Sequence, residues 1–292
     1  MYGAIEAGGT KFICAVAADP LAPPVETLNI PTTTPAETLR RALDFFAKHQ
    51  PLQALGIGSF GPVDLRHGSP TYGYITATPK PGWRNTPFVQ PLRDAFNVPV
   101  GFDTDVNGAA LGEWCYGAGQ GLESIVYFTI GTGIGGGLII NRQLVHGLVH
   151  PEMGHFPMHR HPQDIYGGYC SYHHDCFEGM ACGPALADRW GKPASELPPD
   201  HQAWEFEAYY IAQAIRTVVC ALSPQRVILG GGVMHQAHLF PLIRRFTAES
   251  LNGYIQDAAI LEHIDQFIVP PGLGDRAGIV GALELARRAA SI

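Results

Sequence analysis

The residues with the most obvious chemistry lie between Gly154 and Gly179, a stretch holding five of the chain's thirteen histidines and two of its six cysteines. Cys170, His173 and Cys176 are spaced as CxxHxxC, and His155 precedes the first cysteine by fifteen residues. Two thiolates and two imidazoles form an ordinary tetrahedral zinc set. Four protein ligands leave no open position for a substrate water, so the spacing predicts a structural metal that orders a loop. For His146, His150, His159, His161 and His174, surface or packing roles are expected instead. Glu152 and Glu178 bracket the cluster. Their oxygens suit the hydroxyls of a polyol better than a fifth metal bond.

Three glycine turns point to a second kind of chemistry: AGGTK (Ala7 to Lys11), GTGIGGG (Gly131 to Gly137) and GGGV (Gly230 to Val233). Glycine lets backbone amides approach a ligand with no Cβ in the way, and successive N–H groups make an anion cradle. Each turn follows an apolar strand-like segment, which points to a nucleotide or phosphorylated ligand. Neither the dinucleotide fingerprint nor a Walker loop is present, since Gly8-Gly9-Thr10 leads into a strand and no Gly-Lys-Ser/Thr has the required spacing. Phosphoryl transfer also needs a carboxylate near the attacking hydroxyl. Asp105, at the end of a predicted strand, is the candidate base. Position favours it only narrowly over Asp103, because either aspartate can cap the following helix. Asn107 can offer its amide to a sugar hydroxyl.

Those residues need elements to hold them. YGAIEAG and FICAVAA flank the first glycine turn as a hairpin. Apolar positions at helical spacing predict a helix over Pro35 to His49, and ALGIGSF predicts a strand. Gly61 to Pro87 shows little periodicity and reads as a long binding loop or lid. A helix (FVQPLRDAF), a strand (NVPVGFD) and a helix starting near Asp105 follow. SIVYFTIGTGIGGGLIINRQLV then repeats the opening strand, Gly-Thr turn and strand, a weak internal duplication. Helices over GPALADRW, from about Trp204 to Leu222 and over LFPLIRRFTAESLNGY, with a strand at RVILG, complete a second αβ unit. A short strand, a glycine loop and a last helix close the chain. The alternation predicts an α/β protein.

Composition narrows the function classes. The 292 residues are 46% hydrophobic and 15% charged, with 35 glycines and 24 prolines, which describes a turn-rich globular chain and excludes disorder. A net charge of −7 without a Lys/Arg stripe argues against nucleic acid. The amino terminus lacks a signal peptide's basic region and apolar run, and no uncharged run reaches membrane-spanning length, so a cytoplasmic protein is expected. Six dispersed cysteines are no disulfide scaffold, and in a reducing compartment the tight Cys/His group favours metal.

Taken with these motifs, the chain resembles the ROK group of sugar kinases, and among them the zinc-containing fructokinases, from Ile5 to the final helix. The resemblance implies a two-domain actin-like ATPase (ribonuclease H-like) fold with a cleft between its domains. The N-terminal domain would span 1–116, completed by 277–292, and the larger domain with the zinc loop would span 117–276. Glu6, Gly8, Gly9, Thr10 and Lys11 match the family's ATP phosphate segment. Gly131, Thr132 and Gly133 match the second phosphate turn, and Gly230, Gly231 and Gly232 the adenosine-side loop. The Asp-Val-Asn motif assigns the base to Asp105 and a sugar contact to Asn107. Glu152 and Glu178 match sugar-contacting glutamates. His155 matches a residue of the sugar site that also ligates zinc, with Cys170, His173 and Cys176 as the other ligands. Two positions depart from the wider family: Glu6 replaces a frequent aspartate, and His173 stands where many relatives have cysteine. Regulators of the family carry a DNA-binding domain ahead of the body; here the chain opens on the first strand, so a regulator is not expected.

The activity this implies is ATP + D-fructose to ADP + D-fructose 6-phosphate, with Mg²⁺ accompanying ATP, structural Zn²⁺ and a homodimer. Asp105, with an ordinary aspartate pKa near 4, would orient the 6-hydroxyl and take its proton. Glucokinase, mannokinase and N-acetylhexosamine kinase activities are the rivals within the enzyme class, and a sugar or nucleotide sensor the rival outside it.

Overall fold

The computed structural model describes residues 1–291; Ile292, the last residue of the expected range 277–292, lies outside the described residues. The chain opens with β1 (Tyr2–Ala7), β2 (Lys11–Ala17), β3 (Glu26–Pro31) and α1 (Pro35–Ala47). Thr34 caps α1 by accepting from the Glu37 N–H, Pro35 occupies its first turn, and Leu39, Ala42, Phe45 and Phe46 form its buried face. β4 (Ala54–Ser59), β5 (Tyr74–Ile75), β6 (Thr86–Pro87), α2 (Val89–Phe96), β7 (Val100–Thr104) and α3 (Asp105–Tyr116) follow. Next come β8 (Ile125–Ile130), β9 (Ile134–Ile140), β10 (Gln143–Leu144), α4 (Phe177–Ala181), α5 (Gly183–Trp190), α6 (Ala203–Leu222) and β11 (Arg226–Gly230). The remainder is α7 (Leu239–Leu251), α8 (Ala258–Leu261), α9 (Ile264–Phe267), β12 (Ile268–Val269) and α10 (Ala277–Ala289).

Two five-stranded sheets result, ordered β3-β2-β1-β4-β7 and β10-β9-β8-β11-β12. In each, an antiparallel hairpin around a Gly-Thr turn supplies a central strand that continues into parallel pairing, β1 with β4 and β8 with β11. The weak duplication in the sequence is thus a repeated sheet topology. Contacts group the chain into one unit of Met1–Gln120, Leu144–Pro151 and the residues from Arg276 onward, and a second of Gly121–Gln143 and Glu152–Asp275. Leu144–Pro151, which the sequence reading places in the second domain, groups with the first unit because its histidines bond there: the Val63 N–H donates to His150 Nε2 at 3.1 Å, and His146 meets Asp103.

In the first unit α10 lies against the sheet and α3. The two helices cross where Gly108 faces Gly281; a Cβ on Gly281 would overlap the Gly108 carbonyl. The absence of side chains there brings the backbones together and fixes α3, whose first turn carries Asp105 and Asn107.

The stretch from Gly61 to Pro87 has no periodicity to predict it, yet it is ordered. Trp83 is fully buried, and its Nε1–H donates to the Thr33 carbonyl at 2.8 Å. β5 and β6 pair as a two-residue ribbon. Buried Asp64 accepts from Arg66, Ser69 and Thr71, and the Arg66 guanidinium foremost holds its carboxyl far below the usual range. Turn chemistry and one aromatic anchor replace a repeating pattern. Among the described residues, no helix is long and apolar enough to cross a membrane.

Candidate functional site

In the first unit, the parallel register aligns Glu6 with Gly58 and Gly58 with Asp103, so β1, β4 and β7 end together. The first glycine turn leaves β1 at the edge where α3 leaves β7. Such carboxyl ends are where α/β sheets take ligands. The turn is closed by the Gly8 N–H donating to the Lys11 carbonyl at 2.9 Å, and the Thr32 hydroxyl donates to the Gly8 carbonyl at 2.8 Å. Nothing lies within 4 Å of where a Cβ on Gly9 would sit, so that face of the backbone is open; Thr10 and Lys11 are exposed. Glu6 faces the first turn of α10, where a Cβ on Gly278 would overlap its carboxyl.

Neither aspartate flanking Thr104 caps α3. Thr104 does, accepting from the Asn107 N–H at 3.1 Å. Asp105 is therefore the first helical residue, with Oδ1 accepting from the Val106 N–H at 2.9 Å. Burial pushes its pKa up to about 6 despite that bond. The ordinary value near 4 expected from the residue type alone is thus corrected: the fold takes this half-buried carboxylate partly out of water and makes it a stronger base.

Behind it lies a group that sequence reasoning missed in part. Asp103, 2% exposed, accepts from the Thr104 N–H and Asn107 Nδ2 on Oδ1, and from His146 Nε2 on Oδ2, each at 2.8 Å. The Asp103 carboxylate raises the His146 pKa, while burial lowers that of His150. For His146 the sequence predicts only a surface or packing role, because its partner lies 43 residues earlier and no local spacing signals that pairing.

In the second unit, β8 and β11 pair Thr129 with Gly230, so the second and third glycine turns emerge side by side; a Cβ on Gly131 would stand 3.6 Å from the Gly232 N. Thr132 sits exposed in the second turn. Glu178, in the first turn of α4, accepts from the Ile134 N–H at 2.9 Å, directly after Gly133. Glu152, exposed, opens the turn Met153–His155. Gly154 presses so closely on β9 that a Cβ would overlap the Ile134 carbonyl.

His155, Cys170, His173 and Cys176 bring four donor atoms within 4.8 Å of one another. His155 Nδ1 lies 3.4 Å from Cys176 Sγ and 3.9 Å from Cys170 Sγ, and His173 Nδ1 lies 3.9 Å from Cys170 Sγ. A tetrahedral ion with bonds of about 2.0–2.3 Å spaces its donors by about 3.3–3.8 Å, so the set can hold a metal ion. Burial pushes the Cys176 thiol up to about 12, so a cation among the donors is what would make it a thiolate. With Nδ1 turned to the cysteines, Nε2 is the His155 atom left for any other contact.

The ROK family profile matches residues 2–289. A fructokinase of Zymomonas mobilis is 48% identical over 98% of this chain and 96% of its own length. A fructokinase of Pediococcus pentosaceus is 45% identical over 99% of this chain and 98% of its own. Among solved structures, a ROK hexokinase from Thermus thermophilus superposes with a TM-score of 0.76 at 26% identity, covering 99% of both chains.

Proposed function

Because the chain belongs to the ROK family of sugar kinases, with their actin- and hexokinase-like α/β fold, we propose that it transfers the γ-phosphoryl group of Mg-ATP to the 6-hydroxyl of D-fructose. Near-half identity over the whole length with two fructokinases carries this reading.

In this reading the 6-hydroxyl donates its hydrogen bond to the Asp105 carboxylate. As the oxygen bonds to phosphorus and the bond to the ADP oxygen breaks, the hydroxyl proton passes to Asp105. A pKa pushed up to about 6 makes it a stronger acceptor in a transition state that asks little of its base. Asn107, Glu152, Glu178 and the remaining nitrogen of His155 orient the sugar's other hydroxyls. Lys11 and the amides of Gly8, Gly9, Thr10, Gly131, Thr132 and Gly133 hold the phosphates, Glu6 would hold a water of the Mg²⁺ that accompanies them, and Gly230, Gly231 and Gly232 border the adenosine. Bound with ATP, Mg²⁺ would supply positive charge against the phosphates. Zn²⁺ suits the mixed thiolate–imidazole set and, when bound, supplies folding energy to the loop 154–179.

The test is a coupled ADP-release assay with fructose, mannose, glucose and their N-acetylated forms. Fructose is expected to give the highest kcat/KM, by at least about tenfold. No ADP release with any hexose would sink the proposal; a higher value with another hexose would replace the substrate.

A further inference from the structure

Asn107 is 1% exposed, yet its Oδ1 is buried and has no hydrogen-bond partner, while its Nδ2 donates to Asp103 Oδ1 at 2.8 Å. The orientation is not free. Turning the amide over would set Oδ1 against the Asp103 carboxylate, two acceptors face to face in a buried place. Asp103 is in turn held by the Thr104 N–H and by His146, whose Nε2 donates to Oδ2 at 2.8 Å and whose side chain remains 42% exposed. The backbone of Asn107 is locked as well, through its N–H to Thr104 Oγ1. A buried acceptor fixed in direction and left unsatisfied within the chain is free to take a donor from outside it.

We propose that Asp103 and His146 are positioning residues that lock the Asn107 amide with its carbonyl oxygen turned away from the Asp103 carboxylate, so that the site selects a ligand by a hydroxyl that donates to Asn107 Oδ1. This rests on the sugar-kinase reading and adds a direction to it: at that hydroxyl the ligand is the donor and the protein the acceptor. A deoxy or methyl-ether sugar at that carbon leaves the orphan oxygen unpaired and is rejected. Asp103 never touches the sugar; it acts through Asn107.

Asp103→Leu removes the acceptor that orients the amide, while Asp103→Asn keeps an oxygen for Asn107 Nδ2. His146→Leu removes the donor to Asp103, and His146→Gln keeps one at a half-exposed position that tolerates change. The leucine variants are expected to raise the KM for fructose at least about tenfold, with the KM for Mg-ATP within about twofold, and the amide variants to restore most of the loss. With 3-deoxy- and 4-deoxy-D-fructose, one analogue should be penalised at least about a hundredfold by the wild type and much less by Asp103→Leu. Equal rises in both KM values, or a deoxy penalty that persists in the leucine variants, overturn the proposal. Should Asp103→Leu fail to fold, the His146 pair decides by the same split. If the wild type phosphorylates no hexose, the functional reading falls, and side-chain amide exchange of Asn107 by NMR still decides the orientation. Slow exchange in the wild type and fast exchange in His146→Leu uphold the lock; equal exchange overturns it.

Discussion

Glu178 accepts a hydrogen bond from the backbone N–H of Ile134 at 2.9 Å, and Gly154 packs against the carbonyl of that same residue. The first residue of β9 is therefore held from one side by a helix that begins just after Cys176, and from the other by a turn that ends at His155. Both flanking residues belong to the candidate metal set, so that set and the second glycine turn share one mechanical support.

Removing the metal should therefore be felt at the nucleotide. Cys170→Ser, or chelation of the wild type, is expected to release one metal per chain, lower the melting temperature by several degrees and raise the KM for Mg-ATP several-fold. Metal content, thermal melts and initial rates check this. A metal-free protein with unchanged melting and unchanged KM would separate the clip from the turn.

The acid limb of kcat/KM should lie near pH 6. In the proposed mechanism Asp105 must be ionised to accept the proton, and burial places its pKa at about 6, so the rate falls tenfold per unit below that point. A limb near pH 4 would mean the carboxylate is solvated as an ordinary aspartate.

Asp105→Asn should lose about 10²- to 10⁴-fold in kcat and gain stability at the same time. A folded pKa raised from 3.8 to about 6 favours the protonated form, so the aspartate's contribution is intact below about pH 4 and is lost as pH rises through 6. Above that, the buried charge costs up to about 3 kcal/mol, which a neutral amide avoids. Urea melts at pH 5 and pH 8 measure it: the gain should be larger at pH 8. Equal stability at both would contradict the assigned burial.

Gly281→Ala should destabilise by about 1–3 kcal/mol, since the added methyl forces α10 away from α3. The same shift moves the helix that begins with Asp105, so kcat should fall with stability. Denaturant midpoints and steady-state rates read both effects; a neutral substitution would mean that the crossing is looser than described.

What the sequence discloses here is what is local. The CxxHxxC donors are neighbours in the chain, and both hairpins announce themselves through apolar strands around a Gly-Thr turn. The raised pKa of Asp105 comes from burial by elements distant in sequence, and residue type alone gives the unshifted value. His146 meets Asp103 across 43 residues, and a histidine's spacing carries no trace of such a partner. The order within Gly61 to Pro87 rests on Trp83 and on the ring of donors around Asp64, a pattern without period.

The close passage of α10 over α3 also bears on how the chain comes to its fold. Tyr116 donates to Glu284 at 2.7 Å across 168 residues, so the first unit is sealed by a helix made long after the strands it covers. Contacts of such separation slow folding, because a long loop must close before they form. Until then the first sheet exposes the apolar face that α10 will cover, and the glycines at the crossing have nothing to meet. Newly made chains are thus expected to pass through a stage in which the second unit is formed and the first awaits its closing helix, with the turn that carries Asp105 set only once α10 has docked.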